Sequence, residues 1–247
     1  RENGWKPAAE PQRASDNIGY VVKKLNTALW DQGYPYNKLI PTYNGQSCYV
    51  GCTATATAIV MGYYQYPTKG SGTLPSFTTR KYSINVPSDT LGHTYAWNKM
   101  LDSYNGSYTT ENADAIARLM MDVACGLQSD FTPSGTGAYS SDIPALLQDY
   151  FGYDKGAIQQ DRWYYTNDAW TSMIKDELDK NRPVLYTGFN DDSGHAFVLD
   201  GYTTEDYFSV NWGWSGYCNG YFLLDALVPS GSGSGGNNDH YNFDQGC

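Results

Sequence analysis

The stretch Gly51-Cys52-Thr53-Ala54-Thr55-Ala56-Thr57-Ala58-Ile59-Val60-Met61-Gly62-Tyr63-Tyr64 decides how this chain is read. A glycine turn leads into small residues with no proline before Pro67, and the pattern predicts a helix over 52–66. Alternating threonine and alanine make a weak helix in isolation, because β-branched side chains lose rotamer freedom there. Small side chains suit a central helix with neighbours packed closely on most sides. A cysteine in the first turn of such a helix faces unpaired backbone N–H groups and the positive end of the helix dipole. That field favours the thiolate, which is the nucleophilic form.

Outward from this helix, the chain has three histidines, and one lies in Ser193-Gly194-His195-Ala196-Phe197-Val198-Leu199-Asp200-Gly201. Further on comes Asn211-Trp212-Gly213-Trp214. Acyl transfer through a thiol needs a nucleophile, a base that can also act as an acid, donors for an oxyanion and a group that orients the base. Cys52 can be the nucleophile, and its own N–H one oxyanion donor. His195 can be the base, since imidazole titrates near neutral pH. Gln32, in Trp30-Asp31-Gln32-Gly33, is the best second oxyanion donor. Asn211 and Trp212 are available to orient His195. Each residue alone has an ordinary packing explanation; their joint appearance in this order carries the argument. His93 and His240 have no comparable setting and read as structural.

The 247 residues are enough for one large domain or two subdomains sharing a cleft. A net charge of −10 without a basic patch argues against a nucleic-acid partner. Twenty-three tyrosines with only 17% charged residues suggest a loop-rich exported protein. No apolar run is long enough to span a membrane, and no signal segment opens the sequence, so secretion is expected with any signal already removed. Five cysteines, at 48, 52, 125, 218 and 247, fit one reactive thiol plus up to two disulfides. Cys48–Cys218 is the favoured pair, with buried reduced thiols as the alternative. No C-x-x-C spacing occurs, and neither a metal nor a cofactor is expected.

Residues 1–16 read as a leader or pro-segment remnant. Apolar positions 18, 21, 22, 25 and 29 predict a helix over Asn17–Trp30, and further helices are expected at 112–127, 141–150 and 168–181. Strands are expected at 183–189, 195–202, 207–214 and 220–227, and Ser230–Gly236 as a flexible flap. The fold class is therefore α+β, with a catalytic domain over 17–247. Its helical half (about 17–181) carries Cys52, its antiparallel β half (about 182–247) carries His195, and the cleft lies between.

These blocks, with Gln32-Gly33-Tyr34-Pro35-Tyr36-Asn37, Tyr64-Gln65-Tyr66-Pro67 and Gly220-Tyr221-Phe222-Leu223-Leu224-Asp225-Ala226-Leu227, resemble the streptopain/interpain-like secreted cysteine protease family. The resemblance implies a papain-like fold and a secreted bacterial endopeptidase, acting as a monomer without a cofactor. It gives Cys52 as nucleophile, His195 as proton acceptor, Gln32 as oxyanion donor and Trp212 as a shield for His195, with Asn211 acting through its backbone. It also implies a pocket lined by Thr136, Gly137, Gly194 and Trp212 for the residue before the scissile one, with an apolar preference. Implied partners are protein or peptide substrates and the protein's own pro-segment as inhibitor, with no membrane span. Family chains carry one cysteine rather than five, and continue into a final strand after the segment matching Tyr241–Cys247. Two other readings stay open here: a binding module on an inactive protease scaffold, and a transglutaminase-like thiol acyl-transferase.

Overall fold

The computed structural model describes residues 17–191, 193–229 and 241–247. The expected flap, His240 and residues 1–16 lie outside the described residues. The central helix is α1 (Cys52–Tyr64), which buries every residue from Thr53 to Ile59 and then Met61. Its threonines are tolerated because the helix can absorb a hydroxyl internally: Thr57 Oγ1 donates to the Thr53 carbonyl at 2.8 Å. At Gly62 the helix meets the Trp30 ring, which lies 2.5 Å from where a Cβ would stand.

Against α1 packs α2 (Thr110–Gly126), opened by a capping box between Thr109 and Asn112. Its stripe of Ile116, Leu119, Met120 and Val123 is fully buried. Two further helices follow, α3 (Ile143–Phe151) and α4 (Asn167–Asp179). Three small antiparallel ribbons decorate the helical half: β2 (Thr42–Tyr43) with β3 (Gln46–Ser47), β4 (Thr73–Leu74) with β7 (Asp89–Thr90), and β5 (Phe77–Thr78) with β6 (Asn85–Val86).

The main sheet runs β11 (Gly220–Phe222), β10 (Phe208–Asn211), β9 (Gly194–Thr203), β8 (Val184–Phe189) and β12 (Phe243–Gly246), all antiparallel. β1 (Val21–Lys24) pairs with β9 at Gly201–Thr203, just past the stretch that β8 occupies. The segment expected to be helical over 17–30 is therefore a strand and an extended crossing. Its apolar residues serve two cores rather than one stripe: Leu25 is buried with the sheet, while Ala28 and Trp30 are buried with the helices. A single helix could not face both.

β9 is the shared wall. Ala196 and Val198 belong to the core around α1, and the alternating Phe197 and Leu199 belong to the second core with Trp170, Ile174 and Leu178 of α4. Helix α4 thus packs with the sheet, and the division between cores does not fall at residue 181. The expected strands at 207–214 and 220–227 end earlier, at Asn211 and Phe222. Residues 212–219 leave the sheet as a loop, held by Trp212 N–H on Asn219 Oδ1 and Trp212 Nε1 on the Cys218 carbonyl. Residues 243–246, next to the place where the family's last strand was expected to follow, already form a strand.

No disulfide joins any of the five cysteines. The favoured Cys48–Cys218 disulfide is absent because Cys48 is sealed in the helical core and Cys218 in the other.

Ala in place of Gly normally stabilises a helix interior by about 1 kcal/mol. For Gly62→Ala the sign reverses, because the methyl must displace a Trp30 ring anchored through Nε1 to the Leu101 carbonyl. A loss of about 1–3 kcal/mol in urea denaturation is expected, and a gain would show that α1 and Trp30 do not pack this way.

Candidate active site

Gly51 precedes Cys52 with φ 99°, a conformation that favours glycine, and the Thr136 carbonyl lies 2.9 Å from where its Cβ would be. No side chain caps the helix there, so the first-turn N–H groups around Cys52 keep their capacity for an anion. The half-buried Cys52 thiol faces the His195 imidazole and the Ala196 backbone N–H. Burial pushes the thiol up. His195 chiefly, with help from the Ala196 N–H and Thr53, overcomes that by favouring the charged form and brings it down to about 7.

His195 opens β9 opposite Gly188 of β8 and is buried. Its Nε2 stands 2.8 Å from the Trp212 carbonyl. A carbonyl can only accept, so Nε2 carries a proton and Nδ1 is the nitrogen left for the thiol. Aromatic rings enclose the imidazole: Trp214 at 4.8 Å, Tyr241 at 5.4 Å, Phe197 at 5.9 Å and Trp212 at 6.0 Å between centroids.

The group that orients His195 is thus main chain. Asn211 makes no hydrogen bond to the imidazole. Its Nδ2 donates to Thr27 Oγ1 and the Ala28 carbonyl, and its Oδ1 accepts from Gly213 N–H. Asn211 instead fixes the turn that presents the Trp212 carbonyl. The Trp212 indole is fully buried, so it packs behind the site rather than lining an open pocket.

Gln32 is buried. Its carbonyl accepts from Val50 N–H at 3.0 Å, two residues before Cys52, and its carboxamide is hydrogen-bonded to no described residue. Asp31 ties its backbone across the seam: Oδ1 accepts from Gln32 N–H at 2.6 Å, and Oδ2 accepts from Ser215 Oγ at 2.8 Å. Ser215 N–H donates in turn to the Trp30 carbonyl. No local pattern marks Ser215, whose partner lies far off in the chain.

Thr136 and Gly137 sit in a loop wrapped over the start of α1. Thr136 is buried against Gly51, the exposed Gly137 offers its carbonyl to Asp130 N–H, and the Ala138 carbonyl accepts from Thr53 Oγ1 at 3.3 Å. Gly194 lies on the other side, exposed beside His195 with the Phe189 ring over it. A cavity of about 650 Å³ lies elsewhere, among Val60, Leu147, Ile174, Leu185 and Cys247, and does not include the reactive pair. Among the described residues no His, Cys, Asp and Glu side chains cluster as metal ligands, and no helix is long and apolar enough to cross a membrane.

A helix-borne cysteine facing a sheet-borne histidine, across two packed cores, defines a papain-like α+β protein. The sequence model of the peptidase C10 family matches residues 30–222, and the chain belongs to that family. It is 38% identical over 218 residues to the thiol protease/hemagglutinin PrtT of Porphyromonas gingivalis, covering 88% of this chain and 25% of that protein. It is 37% identical over 243 residues to streptopain of Streptococcus pyogenes, covering 90% of this chain and 60% of the relative. The chain thus spans a quarter to three-fifths of the curated relatives. Active interpain A cysteine protease of Prevotella intermedia superposes with a TM-score of 0.82 at 34% identity, covering 94% of this chain and 96% of that one. Prointerpain A from the same organism superposes with a TM-score of 0.77, covering 97% of this chain and 74% of that one.

The reactive form of Cys52 is expected above about pH 7 and is lost as pH falls below it. In His195→Ala, burial is opposed only by the Ala196 N–H and Thr53, and the thiol moves up. Iodoacetamide labelling of Cys52, followed by mass spectrometry, should slow at least tenfold or so at pH 7 in the variant. An unchanged pH–rate profile would show that His195 does not set the thiol.

Proposed function

We propose that this chain is a secreted bacterial cysteine endopeptidase that hydrolyses peptide bonds through a Cys52 thioacyl intermediate. The observation that carries the reading is the Cys52 thiol at the uncapped start of α1 facing His195, whose Nε2 is held by the Trp212 carbonyl, with the thiol lowered to about 7 in spite of its burial.

The Cys52 thiolate attacks the scissile carbonyl carbon, and the carbonyl electron pair moves to oxygen. The oxyanion accepts hydrogen bonds from the Cys52 backbone N–H and the Gln32 carboxamide. His195 gives its Nδ1 proton to the leaving amine as the C–N bond breaks and the thioester forms. Water then attacks the thioester, losing a proton to Nδ1, and the C–S bond breaks to release the acid and restore the thiol–imidazole pair. Throughout, the Trp212 carbonyl holds Nε2–H and keeps the ring in one tautomer.

Thr136 and Gly137 on one wall and Gly194 on the other would hold the peptide backbone on the N-terminal side of the scissile bond. An apolar side chain before the scissile residue fits the family reading. Inhibition by the protein's own pro-segment is supported by the match to prointerpain A.

The test is hydrolysis of an unfolded protein substrate under reducing conditions. Cys52→Ala should abolish cleavage, and equal cleavage by variant and parent would remove the assignment. Gln32→Ala should lower kcat by about 10²- to 10³-fold, the usual cost of losing one oxyanion donor. A change confined to KM would show that Gln32 only binds substrate.

A further inference from the structure

We propose that Arg80 and Tyr139 form a specificity subsite selecting a carboxylate side chain in the substrate residues that precede the scissile bond. The inference rests on the endopeptidase reading above and extends it to a part of the cleft rim that the sequence did not single out.

Arg80 sits at the tip of the β5–β6 hairpin, in a turn closed by Thr79 N–H on the Ile84 carbonyl and Ile84 N–H on Thr79 Oγ1. The tip is pinned to the substrate-side loop. Asp130 Oδ1 accepts from both Arg80 N–H and Lys81 N–H, at 2.7 and 3.0 Å, while Asp130 N–H donates to the Gly137 carbonyl. Ala138 is hydrogen-bonded to Thr53, the neighbour of Cys52, and Tyr139 follows it directly. Arg80 Nη1 donates to Tyr139 Oη at 2.6 Å, and the guanidinium lies 4.8 Å from the Tyr139 ring centre. A short chain of hydrogen bonds therefore connects the nucleophile's helix to an oriented guanidinium.

The guanidinium remains chemically available. Asp130 spends Oδ1 on two backbone amides, and its Oδ2 stands 3.9 Å from Arg80 Nε, too far for a hydrogen bond. Among the described residues, the only hydrogen bond from the Arg80 side chain goes to Tyr139. More than half of the side chain is exposed, at 57%, and Tyr139 is 61% exposed. The hydrogen bond to Tyr139 Oη and the ring 4.8 Å away restrain the guanidinium, leaving its other donors to match a carboxylate. Lys81 adds a second positive charge at the same tip. On a chain of net charge −10, this rim is a local reversal of sign beside the cleft.

A purely structural Arg80, bracing the hairpin against Tyr139, would show no preference among substrates. The test uses reduced protein and peptides that differ only in Glu, Gln or Lys at each of the four positions before the scissile bond. At one position kcat/KM for Glu should exceed that for Gln by about three- to fivefold at low salt, the scale of an exposed ion pair. The ratio should fall toward one in 0.5 M NaCl as screening takes over. Arg80→Gln should bring the Glu-to-Gln ratio to one, a quantity internal to the variant and independent of how much of it folds. Equal rates for Glu and Gln in the parent, or a preference that survives in Arg80→Gln, would overturn the proposal. Cleavage of the Gln peptides reports separately on the endopeptidase reading. If no peptide is cleaved, binding to Cys52→Ala protein decides: tighter binding of the Glu peptide supports the subsite, and equal binding overturns it.

Discussion

The contact between the Cys52 thiol and the His195 imidazole is the constraint to which the rest of the structure answers. Burial disfavours a thiolate, and without the imidazole this cysteine would be inert at neutral pH. The two groups come from different cores, so the contact survives only if those cores are locked together. β9 does the locking. Its alternate residues enter both cores, with Ala196 and Val198 against α1 and Phe197 and Leu199 against α4, so His195 cannot move relative to Cys52 without disturbing both.

The remaining polar groups serve this contact. The Trp212 carbonyl selects the tautomer of His195, and Asn211 and Asn219 hold the loop that presents it. Asp31 repeats the tie on the opposite side, joining the Gln32 backbone to Ser215 in the same loop. The Gln32 side and the histidine side are therefore built on one hydrogen-bonded frame across the seam. That frame places the orienting role on main chain, which a side-chain substitution cannot delete directly.

Five reduced thiols in one protein raise the question of selectivity, and the surroundings answer it. Burial pushes Cys48 and Cys218 up, and raises Cys125 and Cys247 to about 12. Cys52 alone is lowered, because it alone has an imidazole and a donating backbone amide at hand. Reactivity follows electrostatics rather than cysteine count, and disulfides are not needed to keep the other four thiols out of the chemistry.

Local pattern determined a good deal. The small-residue run fixed α1, caps and periodicity placed α2 to α4 within a few residues, and Gly51-Cys52, Gly194-His195 and Trp30-Asp31-Gln32 marked the residues that the fold brings together. These signals are legible because helix caps, glycine turns and hydrophobic periods depend on near neighbours in the chain. Other features depend on who lies across a gap. Val21–Lys24 became a strand because β9 had an open edge, although its own spacing read as helix. Cys48 and Cys218 stayed apart because each was sealed in a different core. The acceptor for His195 proved to be the Trp212 carbonyl, and Arg80 met Tyr139 through Asp130. Every residue carries a backbone carbonyl, and no residue type records which distant partner it will meet. The sequence therefore determined the chemistry available to this protein, and the tertiary structure decided which groups hold that chemistry in place.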